Sequence, residues 1–250
     1  GQRVPCALPG AQLAGDFVIK VARVRGIESS GMLCSARELG IAEYTSGLLV
    51  LPADAPVGQS IRQYLDLDDR LFTLKLTPNR ADCLSLTGVA REVSAITGAP
   101  ATLPEVPTVV ATIADQRAVV LDAPAACPLY LGRVLKGVDA RAPTPDWMKR
   151  RLERSGIRAI SALVDVTNYV MLELGQPLHA FDNTRLDGTV HARMARPGES
   201  LLLLNGQTIA IDADILMIAD DAKSLAMAGI MGGEDSGITL ETSELFLESA

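Results

Sequence analysis

The chain has 250 residues, 48% of them hydrophobic, 21% charged and only 4% aromatic, with a formal net charge of −7. That much apolar surface excludes intrinsic disorder and suffices for about two cores, while every apolar run is far shorter than the roughly 18 residues that cross a bilayer. The acidic balance argues against nucleic-acid binding over the whole surface but leaves room for one local basic face.

Residues 1–70 read as short strands and turns. Phe17–Val24 alternates loosely, Leu48–Leu51 is a short apolar run, and Gly26, Gly31, Gly40, Gly47 and Gly58 recur at near-regular spacing. The pattern suits a small β-barrel, cut open at its start because Val4 reads as strand with no lead-in. Next, Asp82 is placed to cap a helix from Cys83, with Leu86, Val89, Ala90, Val93 and Ile96 at helical spacing and a stop at Gly98. Pro100, Pro104 and Pro107 mark a linker near 99–108.

Beyond the linker, Ala118–Asp122 and Tyr130–Val138 read as strands. Thr144, Pro145 and Asp146 supply a cap, a first-turn proline and a first-turn acid for a helix that ends at Gly156. A second helix is predicted over Ala162–Leu174, capped by Ser161 and stopped by Gly175 and Pro177. Asn205-Gly206 between Leu201–Leu204 and Gln207–Ile211 signals a hairpin, and Asp220–Lys223 between Ile215–Ala219 and Leu225–Ile230 signals a second. Leu245–Glu248 begins a further strand. The first residue is Gly1 rather than Met, and the chain stops at Ala250 without a turn or cap, so both ends are expected to be cuts. No secretory signal is expected from the opening residues.

Cys6, Cys34, Cys83 and Cys127 each stand alone, with no C-x-x-C and no Cys–His pair at zinc spacing. A reducing, cytoplasmic compartment and no metal site are expected. Lys149, Arg150, Arg151, Arg154 and Arg158 form the strongest basic cluster, either a solvated helix face with Glu153 or a phosphate-facing patch. His179 follows Gly175 and Pro177 in a stretch expected to be irregular. Its imidazole is either aimed into a cleft, where it would act on water near neutral pH, or tied to a carbonyl for packing. His191, in an alternating strand, reads as structural. Gly229, Gly232 and Gly233 permit close backbone approach or a tight turn, in a pattern that is neither a Walker loop nor a dinucleotide loop. Glu248 alternates with Phe246, which tilts its carboxylate inward, where it needs a partner.

Four segments carry a resemblance: Leu76-Thr77-Pro78-Asn79-Arg80-Ala81-Asp82-Cys83-Leu84, Val164-Asp165-Val166-Thr167-Asn168-Tyr169-Val170, Gly175-Gln176-Pro177-Leu178-His179-Ala180-Phe181-Asp182 and Gly229-Ile230-Met231-Gly232-Gly233-Glu234. Together they resemble the β-subunit family of bacterial phenylalanine–tRNA ligases, and Gly31-Met32-Leu33-Cys34-Ser35 fits that family's tRNA-binding insertion. The resemblance implies an α+β fold in three parts. Residues 1–70 would be the C-terminal part of an oligonucleotide-binding-type barrel, 71–108 a helical connection with a Pro-rich linker, and 109–250 a mixed, largely antiparallel tRNA-editing domain lacking its C-terminal end.

It also implies partners and roles. The family's enzyme joins two α and two β subunits and binds phenylalanine tRNA, with no membrane or DNA partner. Its α subunit uses ATP and Mg²⁺ to activate phenylalanine, so no cofactor is expected in this segment. The β subunit hydrolyses tyrosine wrongly attached to that tRNA, because a pocket shaped for Phe cannot strongly reject an isostere that adds a hydroxyl. By this resemblance His179 lies near the ester and water, Thr167 and Asn168 line the pocket, Gly232 leaves room for the tyrosyl group, and Glu248 accepts its phenol. The rival expectation is a non-catalytic module that docks tRNA through the basic helix.

Overall fold

The computed structural model describes residues 1–42 and 46–250. The chain divides into two compact units, Gly1–Phe72 and Thr73–Ala250.

The first unit consists of short strands: β1 (Cys6–Ala7), β2 (Gln12–Leu13), β3 (Phe17–Val18), β4 (Ala22–Val24), β5 (Ile27–Ser29) and β6 (Met32–Leu33), then a one-turn helix α1 (Ile61–Tyr64). They pair as β1–β6, β2–β3 and β4–β5, three separate antiparallel ladders around a small core of Ala7, Ile19 and Cys34. Among the described residues no ladder joins the three pairs, so the expected barrel is not closed by hydrogen bonds. The run Phe17–Val24 is likewise two strands rather than one. Turns explain the fragmentation. Between β4 and β5, Arg25 and Gly26 both take positive φ, 53° and 83°, as a two-residue primed hairpin turn requires.

The second unit opens with α2 (Leu86–Thr97). Its cap is Ser85, whose Oγ accepts from the Gly88 amide at 3.1 Å, and not Asp82 as the sequence suggested. Asp82 sits in a preceding short 3-10 turn and pairs with Arg80, which also binds Glu92 at 2.6 Å and so ties the turn to the helix. A side chain at Gly88 would strike the Asp82 carbonyl, so the tight approach of turn and helix requires glycine. Gly98, at φ 73°, ends the helix in the left-handed conformation.

Then come β7 (Val119–Leu121), β8 (Leu131–Lys136), α3 (Asp146–Arg154) and α4 (Ala162–Leu174). Thr144 does not cap α3; Pro145 takes the capping position, and the Thr144 hydroxyl donates to Asp165 on α4. Asp165 also accepts the Ile160 amide just ahead of α4, so a buried carboxylate fixes that helix start, and Gly175 at φ 83° ends it as predicted. Met148 and Leu152 of α3 bury against Tyr169 of α4.

The remaining strands are β9 (His179–Asp182), β10 (Val190–Met194), β11 (Ser200–Leu202), β12 (Thr208–Ala210), β13 (Leu216–Ala219), β14 (Ser224–Met227), β15 (Met231–Gly232) and β16 (Glu244–Ser249). A five-stranded sheet runs β15-β14-β13-β10-β7, antiparallel except for the parallel β10–β7 pair. A three-stranded antiparallel sheet runs β8-β16-β9, and β11–β12 is the hairpin foreseen at Asn205-Gly206. The β13–β14 pair is the second foreseen hairpin. Phe181, Phe246, Val190, Ile218 and Leu225 form the principal core. The described cysteines are all free thiols, three of them buried.

Candidate active site

The three-stranded sheet sets up the site by its register. On β16, residue 246 stands opposite Phe181, and residue 248 stands opposite His179. Directly opposed residues in an antiparallel pair share a face, and alternate residues along each strand share it too. Phe181 and Phe246 are fully buried on that face. His179 and Glu248 are the next pair along it, at the point where the core gives way to a cleft. The inward direction read from the Phe246–Glu248 alternation therefore holds. The expectation of an irregular segment at His179 does not, because its pairing with Glu248 makes it the first residue of β9.

The cleft encloses about 530 Å³. Its walls include Cys127, His179, Met227, Gly232 and Glu248. The His179 ring meets Phe181 edge-on with centroids 4.5 Å apart. Its Nε2 is buried and, among the described residues, is the one buried side-chain nitrogen or oxygen without a hydrogen-bond partner. Burial alone pushes the imidazole pKa down, so His179 is neutral at pH 7. An orphaned buried nitrogen of this kind costs on the order of 1–3 kcal/mol, which a bound polar group would offset.

Gly232 is packed against that ring. A Cβ at this position would lie 2.7 Å from His179 Cε1, 2.9 Å from Nε2 and 3.0 Å from Leu204 Cδ1. The glycine thus makes room first for the histidine itself. Glu248 accepts a hydrogen bond on Oε2 from the Tyr130 hydroxyl at 2.5 Å. Burial pushes the Glu248 carboxyl up, and the Tyr130 bond opposes that shift. The same burial and the facing carboxylate push the Tyr130 phenol far above its usual range.

Thr167 and Asn168 are not brought to this cleft. The Thr167 hydroxyl donates back to the Val164 carbonyl one turn earlier on α4, at 2.8 Å, so its polar atom is satisfied within its own helix. The basic helix stands apart from the cleft as well. Arg151 donates to the Tyr169 hydroxyl and lies 5.3 Å over the Trp147 ring, while Lys149 approaches Glu153 at 3.9 Å. Lys149, Arg151 and Arg158 are exposed, and Arg150 and Arg154 half-buried. His191 lies on a strand, β10, as read. Its two ring nitrogens face Asp122 and Asp221 at 2.8 and 3.0 Å. Sequence reasoning missed Tyr130, for which no local signal exists: it lies 118 residues from the carboxylate it binds. Among the described residues no three His, Cys, Asp or Glu side chains group to hold a metal ion.

The half of the chain that builds this cleft, residues 126–250, matches the B3/4 domain. The chain belongs to the B3/4 domain family. Over all 250 residues it is 83% identical to the phenylalanine–tRNA ligase β subunit of Dechloromonas aromatica and 66% identical to that of Aromatoleum aromaticum. It spans about a third of the length of these curated relatives, 32% and 31% respectively. A solved N-terminal fragment of the phenylalanyl-tRNA synthetase β subunit from Pyrococcus horikoshii aligns with 68% of this chain and 52% of that one, at 16% identity and a TM-score of 0.41. Within this B3/4 domain, His179, Gly232 and Glu248 line one cleft.

Proposed function

We propose that this B3/4 segment belongs to the β subunit of a phenylalanine–tRNA ligase and that its cleft hydrolyses tyrosine mistakenly esterified to phenylalanine tRNA. The observation that carries this reading is the juxtaposition of a neutral imidazole with an unpartnered buried nitrogen and a partly buried carboxylate on the same sheet face. The ester bond is cut by water. His179 orients that water and takes up its proton as the hydroxide adds to the carbonyl; the proton then goes to the departing ribose oxygen. A neutral imidazole is the form that accepts a proton, and burial keeps His179 in it. Glu248 receives the phenol hydroxyl of the tyrosyl group, the one atom that distinguishes tyrosine from phenylalanine.

Thr167 and Asn168 are left out of this assignment because they do not line the cleft. The complete ligase is proposed to be a cytoplasmic assembly of two α and two β subunits. Activation of phenylalanine with ATP and Mg²⁺ belongs to its α subunit, and no step here runs through a metal. The exposed charges at Lys149 and Arg158, with Arg150, Arg151 and Arg154 beside them, are assigned to holding the tRNA backbone. The test is deacylation of Tyr-tRNA(Phe) by the assembled ligase. Hydrolysis faster than that of Phe-tRNA(Phe) is expected; equal rates for both esters contradict the assignment.

A further inference from the structure

We propose that Tyr130 is a positioning residue for tyrosine recognition: its hydroxyl holds one oxygen of Glu248 so that the other is presented to the substrate phenol. The proposal rests on the editing assignment above and adds a residue that neither the sequence pattern nor the resemblance singled out. The geometry is built around a stacked ring. Tyr130 is buried, and its ring stacks on Phe246 with an interplanar angle of 14° and centroids 6.4 Å apart. Phe246 is itself seated over Gly132 of β8, where a Cβ would lie 2.3 Å from its Cζ. Both rings are buried in this stack, and the Tyr130 hydroxyl donates to Glu248 Oε2 at 2.5 Å.

Among the described residues this is the one hydrogen bond the Glu248 carboxylate receives. It has two consequences. One oxygen of the carboxylate is held by Tyr130, which leaves Oε1 free of that bond on a side chain that lines the cleft. The bond also stabilises the ionised form, and an ionised acceptor makes a shorter and stronger bond to a phenol than a neutral acid does. Burial drives Glu248 toward its neutral form, and the Tyr130 bond is the opposing influence. The ligand class follows: an aromatic aminoacyl ester with a ring hydroxyl. A phenylalanyl ester offers no donor to Oε1 and gains nothing from the arrangement.

The experiment is Tyr130→Phe in the assembled ligase, which removes the hydroxyl and keeps the stack. The ratio of kcat/KM for Tyr-tRNA(Phe) over Phe-tRNA(Phe) deacylation is expected to fall about tenfold or more, the range for a hydrogen bond to a charged group. The acid limb of the Tyr-tRNA(Phe) rate profile is expected to move to higher pH, because Glu248 without its donor is ionised only at higher pH. In a Glu248→Gln background Tyr130→Phe should change the ratio little. Should the Phe variant fail to fold, Tyr130→His retains a donor on a shorter ring, and its ratio should be lower than wild type while the protein still binds tRNA. An unchanged ratio and pH profile in Tyr130→Phe, or the same loss with and without Glu248→Gln, overturns the proposal while leaving the editing assignment intact. A wild-type enzyme that fails to favour the tyrosyl ester overturns both.

Discussion

His179 and Glu248 stand directly opposite one another on β9 and β16, yet no hydrogen bond joins their side chains. An imidazole ion-paired to a carboxylate would be held charged. Here the carboxylate bonds Tyr130 instead, and burial leaves the imidazole neutral. The two groups are therefore not tied to one another, as the proposed division between water and a phenol requires.

Gly232→Ala tests the packing behind His179. The new methyl carbon would lie 2.7 Å from the ring and 3.0 Å from Leu204, so the imidazole must move. A displacement of this size at a reacting group is expected to lower Tyr-tRNA(Phe) deacylation roughly 10- to 100-fold, with about 1–3 kcal/mol of stability lost to overpacking. Deacylation kinetics and thermal melting of the variant check both figures.

The basic helix should act by charge. Because phosphate contacts release counterions, neutralising Lys149 and Arg158 together is expected to weaken tRNA binding and to reduce the steepness of its salt dependence by up to about two phosphate contacts. Filter binding or fluorescence titration between low and moderate salt measures the slope. A slope equal to that of wild type would exclude these residues from the tRNA interface.

His191 gives a pH signature remote from the cleft. Both its ring nitrogens face carboxylates, and those bonds raise its pKa in the folded chain. Folded His191 thus binds its proton more tightly than unfolded His191, and its stabilising contribution is complete below about pH 6.5. It fades as pH rises through the raised folded value. His191→Gln is expected to remove that part of the pH dependence of the melting temperature. The effect should be small, below about 1 kcal/mol, because Asp122 and Asp221 are about half exposed.

What could be read from sequence was local. The C-terminal bound of α4 follows from Gly175, adjacent to the helix it ends, whereas Ser161 takes the cap position without a side-chain capping bond and Asp165 accepts the Ile160 amide instead. The β11–β12 hairpin follows from two residues, Asn205 and Gly206. The direction of Glu248 follows from a two-residue alternation with Phe246. Where two cap residues compete within one turn, as Asp82 and Ser85 do, the winner depends on Arg80 drawing Asp82 away, an interaction that also involves Glu92 twelve residues further on. Thr144 is lost as a cap for the same reason, since Asp165 on another helix takes its hydroxyl. The parallel β7–β10 pairing joins residues some seventy positions apart and leaves no periodic trace. Tyr130 and Glu248 are coupled only through the order of strands in a sheet, which spacing along the chain does not encode.

The central claim is that His179 and Glu248 divide hydrolysis and recognition between them. The most direct measurement is single-turnover deacylation of Tyr-tRNA(Phe) and Phe-tRNA(Phe) by the assembled ligase carrying His179→Ala or Glu248→Ala. His179→Ala is expected to slow hydrolysis of the tyrosyl ester by about 10²-fold or more, the range for loss of a positioned acid–base group. Glu248→Ala is expected to abolish most of the preference for the tyrosyl ester. Wild-type rates and wild-type preference in both variants would contradict the account.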